Sequence, residues 1–281
     1  MKKLNSFFLC VIFLSILAGC KDESKCNLTV EVGLLIPFDQ ISAITNGGQE
    51  PYTFLWSNGS TNGFIPFDST VSIYSVSVTD FDGCTAVDTL NLNECPIFLG
   101  SPIFSGVNIN GRCWINAHVY DTLAIPQVID PVEWANLTSP AWCYYENDEF
   151  IYGQLYNWYA VASGKLCPPG FHVPTKEEFQ SLVDFLGGDT VAGKEMKESF
   201  LWNTPFVGTE MSDFNAKPAG KRLEDGTFIN KGYEAHFWTS TESPTDSSNA
   251  ISRAINNSST QVFLNESNKN SGFSCRCVKD N

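Results

Sequence analysis

The sequence has few basic residues, few histidines and almost no long apolar run. Its 17 Lys and Arg face 31 Asp and Glu, so the formal net charge is −14. An acidic chain of this kind does not neutralise nucleic-acid phosphates, so nucleic acid is excluded as a partner. It has only three histidines and contains no His-Glu-x-x-His motif, phosphate-binding loop or nucleophile elbow. The sequence therefore predicts no catalytic residue, no cofactor and no metal site.

The one long apolar run lies at the N-terminus. Lys2 and Lys3 precede it, and it ends in Leu17-Ala18-Gly19-Cys20. This order is typical of a secretory signal, and the last four residues resemble the bacterial lipobox, in which the cysteine is acylated. We expect a signal peptide over 1–19 and a lipidated linker over 20–26, with lipid on Cys20. A plain signal peptide is the alternative.

The expected location is the outer membrane, with the lipid anchor as the contact to the membrane and the protein exposed at the cell surface. The residues after Cys20, Lys-Asp-Glu-Ser, resemble surface-export tags of Bacteroidetes lipoproteins. Of the ten cysteines, eight remain once Cys10 and Cys20 are set aside. An even number in an exported chain predicts disulfides, and Cys275 with Cys277 has no second close pair that would complete a zinc site.

Residues 27–93 have the period of β-strands. Tyr52, Phe54 and Trp56 share one face of a predicted strand, and in the segment YSVSVTD apolar residues alternate with Ser and Thr. No helical period is present, so we predict a small all-β sandwich. Asp80 and Asp82 before Gly83 raise the possibility of calcium, but an Asp/Gly hairpin turn is the favoured interpretation.

Two segments of this region carry a family resemblance. GGQEPYTFLWSNGSTNG, followed by YSVSVTDFDGCTAVDTLNL, resembles one SprB-type repeat of Bacteroidetes surface proteins. That resemblance covers about seventy residues and implies an immunoglobulin-like sandwich for the module.

From residue 96 onward the chain becomes rich in aromatics, with short strands and two predicted helices. One helix is predicted in GQLYNWYAVAS, with Leu155, Trp158, Tyr159 and Ala162 on one stripe. The other follows Cys167, with Thr175 as N-cap and Glu178 at the capping-box position. Few helices, many loops and several cysteines favour an α+β domain over 96–281.

Five blocks of this domain resemble the Fibrobacter succinogenes major paralogous domain. They are YGQLYNWYAV, LCPPGFHVPTKEEFQSLVDFLGG, AGKEMKE, FWTSTES and GFSCRCVKD, in the family's order. The resemblance implies a C-type-lectin-like fold on an exported, lipid-anchored protein, whereas the biochemical role of the family is largely undefined. The lectin calcium motifs are absent, so calcium is not expected.

The family resemblance also implies a disulfide between Cys167 and Cys277, because the last strand of a lectin-like fold returns beside the start of the domain. Two cysteines stand where the family has apolar residues, and Cys113–Cys275 is the expected pair. Cys26–Cys84 is expected to brace the β-module, which leaves Cys95–Cys143. Sequence alone does not fix this connectivity.

The function predicted from these features is that of a non-enzymatic surface protein that binds a glycan or protein ligand. In lectin-like folds the inserted region forms the recognition face, so binding is expected in exposed loops between about 203 and 260. Tyr233 is the expected surface contact there, whereas Trp202, Phe214, Phe237 and Trp238 are expected in the core. An extracellular enzyme with an unrecognised site, or a purely architectural protein, remain the alternatives. His172 is expected to be a hydrogen-bonded structural residue.

Four Asp-Ser/Thr-apolar triplets match the acceptor pattern of Bacteroidetes O-glycosylation. The acceptor residues would be Ser69, Thr89, Thr122 and Thr190.

Overall fold

The computed structural model describes residues 26–35, 40–68, 70–95, 98–99, 106–115, 125–147, 151–168, 170–209 and 211–280. Within them the chain is mostly β-sheet with a few short helices. The predicted signal peptide and the lipidation site Cys20 lie outside the described residues. So do His118 and two of the predicted glycosylation acceptors, Ser69 and Thr122.

The N-terminal part of the chain forms two sheets. The first has the strand order β4-β2-β1-β7 and the second the order β3-β5-β6. The strands are β1 (Thr29–Leu35), β2 (Gln40–Asn46), β3 (Thr53–Trp56), β4 (Phe64–Pro66), β5 (Ile73–Thr79), β6 (Thr85–Asn91) and β7 (Phe98–Leu99). The described residues of this region form β-structure and contain no helix, in agreement with the prediction.

The inner faces of these two sheets share one core. Val32 and Ile41 of the first sheet and Trp56, Tyr74 and Val76 of the second are all buried in one apolar cluster. The predicted alternation in β5 is confirmed, because Tyr74 and Val76 are buried and the Ser residues between them are less so. Burying this apolar surface is the main favourable term for the module.

Polar contacts complete the module. The Val32 amide donates to the Asp88 carboxylate at 2.7 Å and so links the two sheets. Asp80 accepts hydrogen bonds from the amides of Cys84 and Gln49. The predicted turn is therefore present, with Gly83 in the left-handed region at φ 75°.

The C-terminal part contains several small sheets and one three-stranded sheet, ordered β15-β16-β17. Another sheet, ordered β12-β18-β9-β8, places β18, the last strand of the chain, beside β9, near the start of this C-terminal part. The strands are β8 (Gly106–Ile109), β9 (Arg112–Ile115), β10 (Trp142–Cys143), β11 (Leu155–Tyr156), β12 (Phe171–His172), β13 (Lys221–Arg222), β14 (Phe228–Ile229), β15 (Glu234–Glu242), β16 (Asn249–Asn256), β17 (Phe263–Asn268) and β18 (Val278–Lys279).

The longest described helix is the one predicted after Cys167. The helices are α1 (Pro131–Ala135), α2 (Trp158–Ala162), α3 (Lys176–Phe185) and α4 (Ala192–Met196). Thr175 and Glu178 form the predicted capping box at the start of α3, and its apolar face is buried. Among the described residues, no helix has the length and hydropathy needed to cross a membrane.

The other predicted helix is only half correct. Leu155 and Tyr156 are not helical but form β11, which pairs with Trp142 and Cys143 of β10. The helix begins only after Asn157, whose side chain accepts from the Ala160 amide as an N-cap. Strand pairing over the first residues therefore overrides their helical period, and α2 has a single full turn.

Two of the four expected disulfides are present. Cys26 is bonded to Cys84 within the β-module, and Cys167 is bonded to Cys277 across 110 residues. The second bridge joins the segment before β12 to the segment before β18, and these two strands also pair directly. Cys167 thus fixes the segment that leads into α3 to the C-terminal strand.

The other two expected pairings are wrong. Cys113 is bonded to Cys95, while Cys143 and Cys275 are unpaired and buried. Trp114 lies opposite Val278 in the β9–β18 pair, and Cys275 lies before β18. The strand pair therefore does not place Cys275 opposite Cys113. Burial raises the pKa of both thiols, that of Cys143 to about 12, so neither is a reactive thiolate.

Three buried cations hold loops together in this part of the chain. Arg222, Arg276 and Lys197 are each fully buried. Their hydrogen bonds go to backbone carbonyl oxygens, such as those of Val207 and Ser259 for the Lys197 ammonium, at 2.6 and 2.7 Å. Loop carbonyls have few partners in a domain with little regular structure, and these cations supply the donors.

Candidate functional site

The candidate site is a groove of about 370 Å³ on one face of the β15–β16–β17 sheet. Side chains alternate between the two faces of each strand. Ala235 and Phe237 point to the opposite face and pack in a core that also contains Phe179 of α3. The groove is lined by Lys221, Glu234, His236, Ala254, Ile255, Asn256, Phe263, Asn265, Glu266, Ser267 and Phe273. The sheet thus has one face committed to the core and one face open.

Charged side chains occupy one end of the groove. The Glu234 carboxylate contacts Nε2 of His236 at 2.7 Å and Nζ of Lys221 at 3.4 Å. The hydrogen bond from His236 is the main cause that lowers the pKa of Glu234 to about 2. Asn230 and Lys221 lower it further, whereas burial acts to raise it. Burial lowers the pKa of His236, more than its contact with Glu234 raises it. At neutral pH this end therefore carries a carboxylate, an ammonium and a neutral imidazole.

Aromatic rings form the floor beside this charged end. The Phe273 ring lies 5.0 Å from the His236 ring and 4.4 Å from the Trp238 ring, centroid to centroid. The Trp238 indole N–H donates to the Tyr156 carbonyl oxygen at 2.8 Å, and Trp238 is fully buried. A floor fixed by stacking and by a buried hydrogen bond keeps the groove in one shape before any ligand arrives.

The middle of the groove is polar, with one exposed ring at its rim. The Asn265 side chain makes no hydrogen bond with any residue that the structure describes. The Ser267 hydroxyl is hydrogen-bonded to Ser252 at 2.9 Å. Phe263 is 37% exposed. The groove therefore offers an uncommitted amide, charges of both signs and an aromatic surface to a ligand.

Local backbone conformation places the charged end. Asn230 and Gly232 have positive φ values, 66° and 84°, in the turn between β14 and β15. A Cβ on Gly232 would lie 2.5 Å from Nδ2 of Asn203, so this turn requires glycine. The turn brings β13 alongside the start of β15, where the Gly220 amide donates to the Glu234 carbonyl oxygen. Lys221 thereby reaches Glu234.

The predicted binding region is only partly a loop. Binding is expected in exposed loops between about 203 and 260, and within that range residues 234–242 and 249–256 form the strands β15 and β16. Tyr233 is 48% exposed, as expected of a surface residue, but it does not line the groove. The four aromatic residues expected in the core are buried there: Trp202, Phe214, Phe237 and Trp238.

The sequence interpretation missed the groove residues. Lys221, Glu234, His236 and Asn265 were not singled out, because each looks like an ordinary surface residue in its own segment. The available signal was the alternation of polar and apolar residues in EAHF, residues 234–237, which predicts a strand with one polar face. FLNES does not alternate, and neither segment predicts that the two strands belong to one sheet.

His172 lies in a separate network of charges. Its Nδ1 contacts Asp280 at 2.5 Å and its Nε2 contacts Glu178 at 2.8 Å, while Arg112 contacts the other oxygen of Glu178. Burial opposes the charged form of His172, but the two carboxylates raise its pKa. Burial would also raise the pKa of Glu178, yet hydrogen bonds from Arg112, the Thr175 amide and His172 lower it to about 2. The network ties α3, β9, β12 and the C-terminus together, in agreement with a structural role.

The remaining predicted sites are surface positions. Thr89 and Thr190 are exposed, which an acceptor of glycosylation requires. Over the part of the chain that is described, no three His, Cys, Asp or Glu side chains are grouped as metal ligands.

Comparison with known proteins identifies most of the C-terminal part. The profile of the Fibrobacter succinogenes major domain family matches residues 107–279, more than half of the chain. This range includes every residue that lines the groove and, except for Asp280, the network around His172. Neither the curated proteins nor the solved structures give a significant match.

Proposed function

The chain belongs to the Fibrobacter succinogenes major domain family, and we propose that it is a lipid-anchored surface protein that binds a glycan or protein ligand without catalysing a reaction. In this proposal Cys20 carries the lipid in the outer membrane. Residues 27–93 form an immunoglobulin-like module of the SprB type that acts as a stalk. Residues 96–281 form a C-type-lectin-like domain that carries the ligand site.

The groove on the β15–β16–β17 sheet is the observation that supports binding. It combines a fixed aromatic floor with donors and acceptors from Lys221, Glu234 and Asn265 and with the exposed ring of Phe263. Charges of both signs lie side by side, so the groove suits a ligand rich in hydroxyl or amide groups more than a strongly charged one. Few polar groups on a preformed surface are typical of recognition sites.

The enzyme alternative requires a proton donor or a nucleophile in the groove. Glu234 is held ionised by His236 and Lys221, so it has no proton to give near neutral pH. His236 is neutral but only 6% exposed, with Nε2 committed to Glu234. These features favour binding over general acid catalysis.

The test is a binding screen with the full chain held in detergent micelles or proteoliposomes. Wild-type protein is applied to arrays of glycans and of surface proteins, together with Asn265→Ala, Lys221→Gln and the control Tyr233→Ala. We expect a ligand whose affinity falls about tenfold or more in the two groove variants, or about 1.4 kcal/mol each, and is unchanged in Tyr233→Ala. If Tyr233→Ala loses binding and the groove variants keep it, the groove is not the site.

A further inference from the structure

We propose that the free edge of β17 binds an extended peptide segment of a partner protein as an additional antiparallel or parallel strand. The side chains on one face of that peptide would then enter the groove. This inference rests on the proposed function, since it names the ligand class of the same site.

Hydrogen bonds at the two ends of β17 determine which backbone groups face outward. The Lys269 amide donates to the Ser248 carbonyl oxygen of the neighbouring segment at 3.0 Å, whereas the Val262 amide donates away from β16, to Asp189, at 2.7 Å. Pairing in an antiparallel ladder alternates from one residue to the next. The odd-numbered residues of β17 therefore bond to β16, and Leu264 and Glu266 direct their N–H and C=O groups outward.

These outward groups are not satisfied within the described part of the chain. The backbone N–H and C=O of Leu264 and Glu266 have no hydrogen-bond partner among the described residues, and β17 ends the order of its sheet. The two residues are separated by two positions, or about 6.8 Å, which is the repeat of a paired strand. They provide two donors and two acceptors in the geometry that a peptide backbone requires.

The opposite edge of the same sheet is closed. The Gly220 amide donates to the Glu234 carbonyl oxygen, the Trp238 amide to that of Ser274, and the Ser274 amide to that of His236. All of these bonds satisfy the outer side of β15. Backbone from two other segments thus covers one edge of the sheet, and the edge beside the groove is left open.

The sequence of β17 lacks most of the features by which proteins block a free edge, and its one charged residue is Glu266. FLNESN has no lysine and no proline, and its register with β16 continues without a bulge over all six residues. Phe263 is 37% exposed on the groove face and Leu264 is 47% exposed on the other. An open edge with apolar side chains on both faces is a template for strand addition.

Charge and shape define the partner. A peptide of five or six residues matches the length of β17, about 20 Å. Every second side chain would lie beside Phe263 and Asn265 in the groove, and the others beside Leu264 and Glu266. Glu266 is exposed, its carboxylate accepts hydrogen bonds only from the Ser243 and Thr245 hydroxyls among the described residues, and the chain carries a net charge of −14, so Lys or Arg is preferred opposite it. The partner segment is therefore extended, free of proline, apolar at one position and basic at another.

The test uses the full chain in detergent and a display library of random decapeptides. We expect selected peptides to combine an apolar residue with Lys or Arg, and to lose at least tenfold in affinity against Leu264→Pro. That substitution removes only an outward N–H, so the ladder to β16 remains. Glu266→Lys should instead select peptides with Asp or Glu. Met211→Lys, at a site 79% exposed and outside the groove, is the control and should bind as wild type.

Two further measurements keep the proposal falsifiable if Leu264→Pro does not fold. A selected peptide should be N-methylated at every second residue in two versions. Binding should be lost when the methylated amides face β17 and kept when they face away from it, a pattern specific to strand pairing. Amide hydrogen exchange of Leu264 and Glu266 should be fast in free protein and slow with peptide.

Several outcomes would overturn the proposal. The first two are a library without binders and equal binding by the two N-methylated versions of a peptide. The third is slow exchange of the Leu264 and Glu266 amides before any peptide is added. The fourth is concentration-dependent dimers in light scattering, which would mean that a second copy occupies the edge. Glycans bound through Asn265 without any peptide binder would leave the proposed function standing and remove this inference alone. If peptides bind at β17 but their binding is insensitive to Asn265→Ala and Lys221→Gln, the strand-edge inference stands and the groove is not the ligand site of the proposed function.

Discussion

Replacing Arg222 is the sharpest test of how the loop-rich C-terminal part is held together. Its guanidinium is fully buried and donates to three carbonyl oxygens, those of Gly226, Val128 and Ile129, at 2.9, 2.8 and 2.7 Å. These acceptors belong to two segments far apart in sequence. The side chain therefore joins the β13–β14 hairpin to the segment before α1.

Arg222→Met keeps much of the apolar stem and removes the donors. The stem and guanidinium lie against the rings of Trp134 and Phe228, at 4.4 and 4.8 Å, and methionine can retain part of that packing. Each buried acceptor left without a partner costs about 1–3 kcal/mol, and removing the desolvated charge returns part of the total. We expect a net loss of about 3–5 kcal/mol, or about 6–20 °C in Tm for a domain of this size.

The assay is urea unfolding under non-reducing conditions, followed by tryptophan fluorescence and circular dichroism. Lys217→Met is the matched control, because its Nζ also donates to a loop carbonyl, that of Ile151 at 2.9 Å, but at the surface. It should cost less than about 0.5 kcal/mol. If Arg222→Met unfolds within about 1 kcal/mol of wild type, the carbonyl contacts do not stabilise the fold, and the buried charge is there for another reason.

Three other predictions concern single features. In an NMR titration His172 should show a pKa above 6.5 and His236 one below it. Because the folded-state pKa of His172 is raised, its contribution to stability is complete below pH 6.5 and is lost as pH rises through that higher pKa, and His172→Gln should remove this dependence. The double variant Cys167→Ala/Cys277→Ala should lose about 4–5 kcal/mol by the chain-entropy relation for a closed loop of this length, and a loss under 1 kcal/mol in urea unfolding would contradict it. Metabolic labelling with palmitate should mark the wild type and not Cys20→Ser, so label that persists in the variant would place the lipid elsewhere.

The features predicted correctly from sequence are those that nearby residues determine. Thr175 and Glu178 lie three positions apart, and the apolar residues of α3 recur at helical spacing, so the cap and the buried face follow from a window of about ten residues. The alternation in β5 works in the same way. The Cys167–Cys277 bridge is a long-range feature, and only the family resemblance made it predictable.

The wrong predictions depend on how distant strands are aligned. Cys113 lies in β9, but Cys275 lies before β18 and not in it, so the pair that sets Trp114 opposite Val278 does not bring the two cysteines together. A strand sequence determines which side chains share a face, and it leaves the offset between two strands open. Leu155 and Tyr156 show the same limit, because their helical period gives way to pairing with β10 and with Phe273.

The groove also depends on the register between strands. The same register determines which side chains line the groove and which pack in the core. In β15 and β16 the even-numbered positions Glu234, His236 and Asn256 line the groove, whereas Ala235 and Phe237 pack in the core. In β17 the register reverses the parity, so Phe263 and Asn265 face the ligand side. If the groove is the ligand site, substitution of Glu234 in β15 is expected to change ligand affinity, whereas substitution of its neighbours Ala235 or Phe237 is expected to change stability.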